Sequence, residues 1–129
     1  MAAFQSGSRT RSPDRRKRQI SAEDVDGVVA APEHHRVIFE NDAVRVLETT
    51  IPSGETTPVH THLARTVNYV VSGSHFVRRD ESGATMFDTR SDPAFALPRV
   101  VYSPPTPRHT IENTGPDDLV VIGVELKDR

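Results

Sequence analysis

The chain contains no cysteine. It therefore forms no disulfides, offers no thiolate metal ligand and has no thiol nucleophile. No stretch approaches the roughly 20 apolar residues of a membrane-spanning helix. Residues 1–20 lack the apolar segment of a signal peptide. These absences predict a soluble, cytoplasmic protein with no membrane partner. No glycine-rich phosphate loop, no G-x-S-x-G nucleophile turn and no internal repeat is present, and no long segment has helical periodicity.

Net charge is small, at −2, but the charges are unevenly spread. Arg9, Arg11, Arg15, Arg16, Lys17 and Arg18 face only Asp14, so residues 1–19 hold +5 and the remainder −7. The basic run Arg15–Arg18 has no aromatic interleaving, and its neighbours are Ser, Gly and Pro. Such a segment buries too little apolar surface to order itself. Residues 1–20 are expected to be a disordered basic tail, with nucleic acid an improbable partner. The remainder, 21–129, suits one domain.

Ser21 and Asp24 resemble a weak capping box, and Gly27 keeps any helix there short. Beyond Pro32 the pattern is β. Strands are predicted over Arg36–Glu40, Val44–Ile51, Val67–Val71, His75–Arg79, Thr85–Thr89, Arg99–Ser103 and Leu119–Lys127, rich in β-branched residues and separated by turn residues. "PPTPRH" (Pro104–His109) is not expected to be a central strand, because its three prolines remove ladder donors. β character resumes over "HTIEN". In the last strand Val120, Ile122, Val124 and Leu126 form one unbroken apolar face. Short strands with turns every 8–12 residues predict an all-β fold, a small antiparallel sandwich or barrel.

Two of the six histidines, His60 and His62, are one residue apart. In a strand, positions i and i+2 share a face, so both imidazoles aim at one region. His109 follows the proline loop, with Asn113 four residues on. A strand pair plus a third histidine from a distant strand would cap one divalent transition metal. Neutral imidazoles suit Fe, Ni, Cu and Zn, and three of them leave coordination positions open.

At this point the chain resembles the cupins. Their first motif runs Gly, five residues, His-x-His, three or four residues, Glu, six residues, Gly; Gly54, His60, His62 and Gly73 fall in register. Their second motif sets a proline five residues before a histidine and an asparagine four after it, matched by Pro104, His109 and Asn113. The interval between Gly73 and Pro98 lies in the family's range. The resemblance spans roughly residues 34–127, is similar to the small single-domain members, and implies a jelly-roll β-barrel with His60, His62 and His109 as metal ligands. The family's glutamate position is Thr66 here, or Val67 on the longer count, and the second motif's glycines are Pro98 and Thr106. The missing carboxylate makes the site similar to the three-histidine dioxygenases of the family. Such a centre keeps its full 2+ charge and favours anionic, chelating ligands.

Around these ligands, Thr66 and Asn68 share inward parity. Asn68 either orients substrate or is a core amide held by the backbone. Arg65 and Arg108 flank the histidines, as carboxylate clamps or as rim residues. His75 is a weaker candidate for the cavity wall. Tyr69 points outward. His34 and His35 are expected at the surface, and Glu48 is a possible substitute carboxylate. The function this implies is a mononuclear iron dioxygenase acting on a small polar or anionic metabolite, with Fe(II) favoured over Ni, Zn, Mn or Cu. The alternatives are a non-catalytic small-molecule- or metal-binding cupin, and a metal-assisted isomerase or hydrolytic enzyme. Apolar positions on both strand faces predict a homodimer.

Overall fold

The computed structural model describes residues 26–96 and 99–127. The basic tail and the Ser21–Asp24 capping box lie outside them. A single helical turn, α1 (Gly27–Ala30), is capped by Asp26 and followed by nine strands: β1 (His35–Glu40), β2 (Val44–Ile51), β3 (His60–His62), β4 (Thr66–Ser72), β5 (Phe76–Asp80), β6 (Thr85–Asp88), β7 (Arg99–Ser103), β8 (Thr106–Asn113) and β9 (Leu119–Leu126). They form a five-stranded sheet, β1-β2-β9-β4-β7, and a four-stranded sheet, β3-β8-β5-β6, with every strand pair antiparallel. Two such sheets facing each other make a jelly roll.

The proline-rich segment departs from expectation. β8 lies between β3 and β5 and begins at Thr106, so Pro107 is inside a central strand. The missing N–H is tolerated for two reasons. Pairing with β5 extends only to His109 opposite Asp80, and the register with β3 shifts between His60 and His62. Pro107 therefore meets no regular ladder on either side.

The interior is graded along its length. At one end Ile51, Val70 and Leu119 are fully buried and packed with Phe76, Ile111 and Val121. The row of β9 that faces inward runs from Leu119 through Val121 and Gly123 to Glu125. The unbroken row Val120, Ile122, Val124 and Leu126 is thus the outer face. Tyr69 is exposed on that side, as are Val67, Val71 and Val100.

The motif glycines answer backbone demands. Gly54 and Gly73 have φ of +83° and +107°, a region that side chains disfavour. At Gly73 a Cβ would also stand 2.9 Å from the Leu119 Cα. Asn113 is fully buried and locks the β8–β9 turn. It donates to the Ile51 and Asp117 carbonyls, both at 2.8 Å, and accepts from the Gly115 N–H at 2.9 Å. Among the described residues, no helix is long and apolar enough to cross a membrane.

Candidate metal centre

His60 and His109 are Cα partners across β3 and β8, and both are 1% exposed. His62 comes to the same face by strand alternation. The ring centroid of His60 lies 4.9 Å from that of His62 and 4.4 Å from that of His109, and His62 and His109 are 5.5 Å apart. A fourth ring joins them from the other sheet. His35, at the start of β1, has its centroid 4.7 Å from His60 and 5.2 Å from His62. One ring nitrogen each from His35, His60 and His62 lies within 4.8 Å of the others. The tightest trio of nitrogens therefore contains His35, with His109 as the adjoining fourth ring.

The expected surface position of His34 and His35 is corrected: both are buried. β1 pairs with β2 so that His35 sits opposite Thr49, an inward position. That pairing directs the ring into the barrel.

Backbone carbonyls fix the orientation of three rings. Nδ1 of His60 lies 2.8 Å from the Pro58 carbonyl, Nδ1 of His109 lies 2.6 Å from that of Pro107, and Nδ1 of His35 lies 3.0 Å from that of Ala31. A carbonyl only accepts, so each Nδ1 carries the proton and each neutral ring keeps its lone pair on Nε2. Burial, aided by the neighbouring His109 and His62, pushes His60 down to about 2. Burial likewise takes His35 and His109 to about 4, against the opposing pull of their carbonyl bonds. These rings are neutral at physiological pH. A converging set of neutral imidazoles, each held through its outer nitrogen, fits a divalent transition metal.

His62 has a carboxylate behind it. Its Nδ1 is 3.8 Å from Oε2 of Glu125, which is 4% exposed. Glu125 Oε1 accepts from Arg45 Nε at 2.7 Å, and the Arg45 guanidinium reaches Asp26 at 3.0 Å. Burial raises the Glu125 carboxyl, but His62 and Arg45 outweigh it and hold it below its ordinary value. Glu125 is the Cα partner of Thr66 across β4 and β9. The carboxylate thus stands one strand away from the motif's glutamate position. Glu48, the substitute weighed from the sequence, faces outward and pairs with Arg36.

Asp26 bridges to Thr61, which holds α1 against β3. At Gly27 a Cβ would lie 2.8 Å from Cε1 of His62 and 3.1 Å from Nε2 of His35. Only a glycine lets the helical turn sit this close to the two rings.

The histidines open into a cavity of about 520 Å³, walled mainly by apolar side chains. Thr66 and Asn68 line it, and the Asn68 amide donates to Ser103 Oγ at 3.1 Å. Arg65, Arg108 and His75 lie off its wall. Arg108 borders a shallow depression outside the barrel with Thr61 and Leu63. The Arg65 carbonyl accepts from the Leu126 N–H. His75 bonds Thr89 Oγ1 at 2.8 Å. Sequence reasoning did not single out Glu125 or Arg78 of the cavity wall. The signal for Glu125 was present: it is the one acid on the inward row of β9.

No protein-family model and no curated protein matches the chain. Solved structures do. A cupin domain from Bordetella pertussis aligns with a TM-score of 0.59 at 20% identity, covering 73% of this chain and 92% of its own. A conserved protein with a double-stranded β-helix domain from Klebsiella pneumoniae aligns at 0.55 and 16%, covering 85% and 90%. An RmlC-like cupin family protein from Methanocaldococcus jannaschii aligns at 0.54 and 17%, covering 71% and 77%. At these identities the likeness concerns the fold. The chain has the double-stranded β-helix fold of these small cupins.

Proposed function

We propose that the chain binds one divalent transition metal between its two sheets, through His60, His62 and His109 from one and His35 from the other. The observation that carries this reading is the convergence of His35, His60 and His62 nitrogens within 4.8 Å, with His109 in ring contact. Glu125 orients His62, and the carbonyls of Ala31, Pro58 and Pro107 orient the other rings. Bound there, the metal would supply Lewis acidity and, if it is iron, redox chemistry with dioxygen.

We favour an iron dioxygenase acting on a small anionic metabolite. Among the described cavity residues the carboxylates are already engaged, Glu125 with Arg45 and Asp92 with Arg99. Proton abstraction by a free carboxylate, which isomerase or hydrolytic chemistry commonly uses, has little support from such a wall. Thr66 and Asn68 remain as neutral groups for positioning substrate. A second reading, non-catalytic metal or small-molecule binding, is favoured by His35 itself, since a fourth imidazole leaves fewer open positions.

The test is elemental analysis of protein purified without added metal, followed by oxygen uptake over small carboxylates, thiols and diketones. Stoichiometric iron with substrate-dependent uptake supports the enzyme. Stoichiometric metal without uptake on any of them supports the binding protein. Failure to hold iron, nickel or zinc after loading overturns the enzyme and the metal-binding protein alike.

A further inference from the structure

Arg78 is the unused charge in this cavity. It lies on β5 opposite Ile111 of β8, one inward position along from the His60–His109 pair. Both Arg78 and Ile111 line the cavity. Its Nε is buried with no hydrogen-bond partner, and its guanidinium makes no ion pair among the described residues. The contrast with its neighbours is sharp. Arg99 of the same cavity is paired with Asp92 at 3.4 Å and stacked on Phe95 at 5.2 Å. Arg45 at the rim holds two carboxylates. Arg79, next in sequence but on the other face, pairs with Glu112 at 2.8 Å. Burial lowers the pKa of Arg78 without removing its charge at neutral pH.

Arg78 as a whole is half-buried, and an unpaired guanidinium drawn partly out of water is costly to keep. Such a cost is common where a ligand supplies the missing partner. Guanidinium matches a carboxylate through two parallel N–H···O bonds. One unpaired arginine among mainly apolar walls fits a monoanion better than a phosphate, which calls for more donors. Phe76, Phe87, Phe95 and Met86 line the same cavity. They suit an aromatic or branched hydrocarbon body.

We propose that Arg78 is the anchor for an organic carboxylate with an apolar body, bound in the cavity beside the histidine cluster. This names the substrate class of the site proposed above and rests on that reading for its chemistry. The binding itself does not require the metal. The occupant completes the hydrogen bonds of Arg78 and fills the apolar chamber, while its far end faces the histidines.

The test uses benzoate, its neutral analogue benzamide, and inorganic phosphate as probes. Binding is followed by calorimetry on zinc-loaded and chelator-treated protein, with zinc content measured in parallel. The wild type is expected to bind benzoate in both forms, at least about tenfold more tightly than benzamide. Arg78→Met should keep its zinc, lose benzoate binding by about tenfold or more, and melt higher without ligand, because an unpaired, half-buried charge is gone. Arg78→Lys should retain part of the binding. The proposal is overturned if the wild type ignores benzoate at millimolar concentration, or if Arg78→Met binds it as the wild type does. It is also overturned if phosphate binds Arg78 more tightly than benzoate. Loss of zinc by the wild type, with benzoate binding intact, would instead sink the metal reading and leave Arg78 as the anchor.

Discussion

The four-stranded sheet and the five-stranded sheet reach the site by different means. On the four-stranded sheet, His60 and His109 are each held by the carbonyl of a proline two residues earlier, Pro58 and Pro107. Their orientation is local, built within one turn of chain. On the five-stranded sheet, His35 arrives through the pairing of β1 with β2, and Glu125 through the placing of β9 between β2 and β4. Their positions depend on the pairing of whole strands rather than on residues beside them in the chain. One wall of the site is thus set by short-range chemistry and the other by topology. The account requires both walls to touch the same metal, and its predictions separate their contributions.

The largest effect is expected on the local wall. His60 contacts the other three rings. His60→Ala should abolish stoichiometric metal, read by elemental analysis and by loss of metal-induced thermal stabilisation. Retained stoichiometric metal would remove His60 from the centre.

Next in size is the pH response of metal-free protein. His35 and His109 at about 4 and His60 at about 2 stay neutral in the fold, while in the unfolded chain each titrates near 6.5. Below pH 6.5 the unfolded state therefore takes up protons that the folded state refuses, and stability falls as pH falls. Between pH 6.5 and 5.5 each ring should cost about 1 kcal/mol. Calorimetric melting across that range should show a steep decline, and a flat profile would contradict the neutral, buried cluster.

The topological wall should give smaller changes. Glu125→Gln removes the charge behind His62 and leaves Arg45 without one of its two carboxylates. Metal affinity should drop by about ten- to a hundredfold, the usual range for a group that orients a ligand. Competition with a calibrated chelator measures it, and unchanged affinity would reduce Glu125 to a partner of Arg45. Gly27→Ala should act more gently still. Its Cβ must displace the partly exposed His62 ring at 2.8 Å and crowd His35 at 3.1 Å, both side chains rather than backbone. A severalfold loss of metal affinity with a stability change of about 1 kcal/mol is expected. No effect on affinity would mean that α1 does not press on the ligands.

The same contrast explains what was legible in the sequence. β2 and β7 are observed with their predicted boundaries, because alternation and flanking turns define them locally. The spacing of His60 and His62 is likewise local information. Pro107 misled the reading of β8, since its tolerance depends on where β5 ends and where the β3 register shifts. The apolar row of β9 did not identify the inner face either. Gly123 and Glu125 occupy the inner row, because a close backbone approach beside Asn68 and a charge beside His62 are needed there. His35 reads as a polar strand entry until its partner Thr49 is known. Arg78 carries no local signal either: only the strand pairing shows that it faces the cavity while Arg79 takes Glu112 on the other face.

Whether the centre spans both sheets is tested most directly by X-ray absorption at the zinc edge, on wild-type and His35→Ala protein loaded to one equivalent. The account predicts four imidazole nitrogens at about 2.0–2.1 Å in the wild type and three in the variant. An identical imidazole count in the two proteins would contradict it, and would confine the metal to the four-stranded sheet.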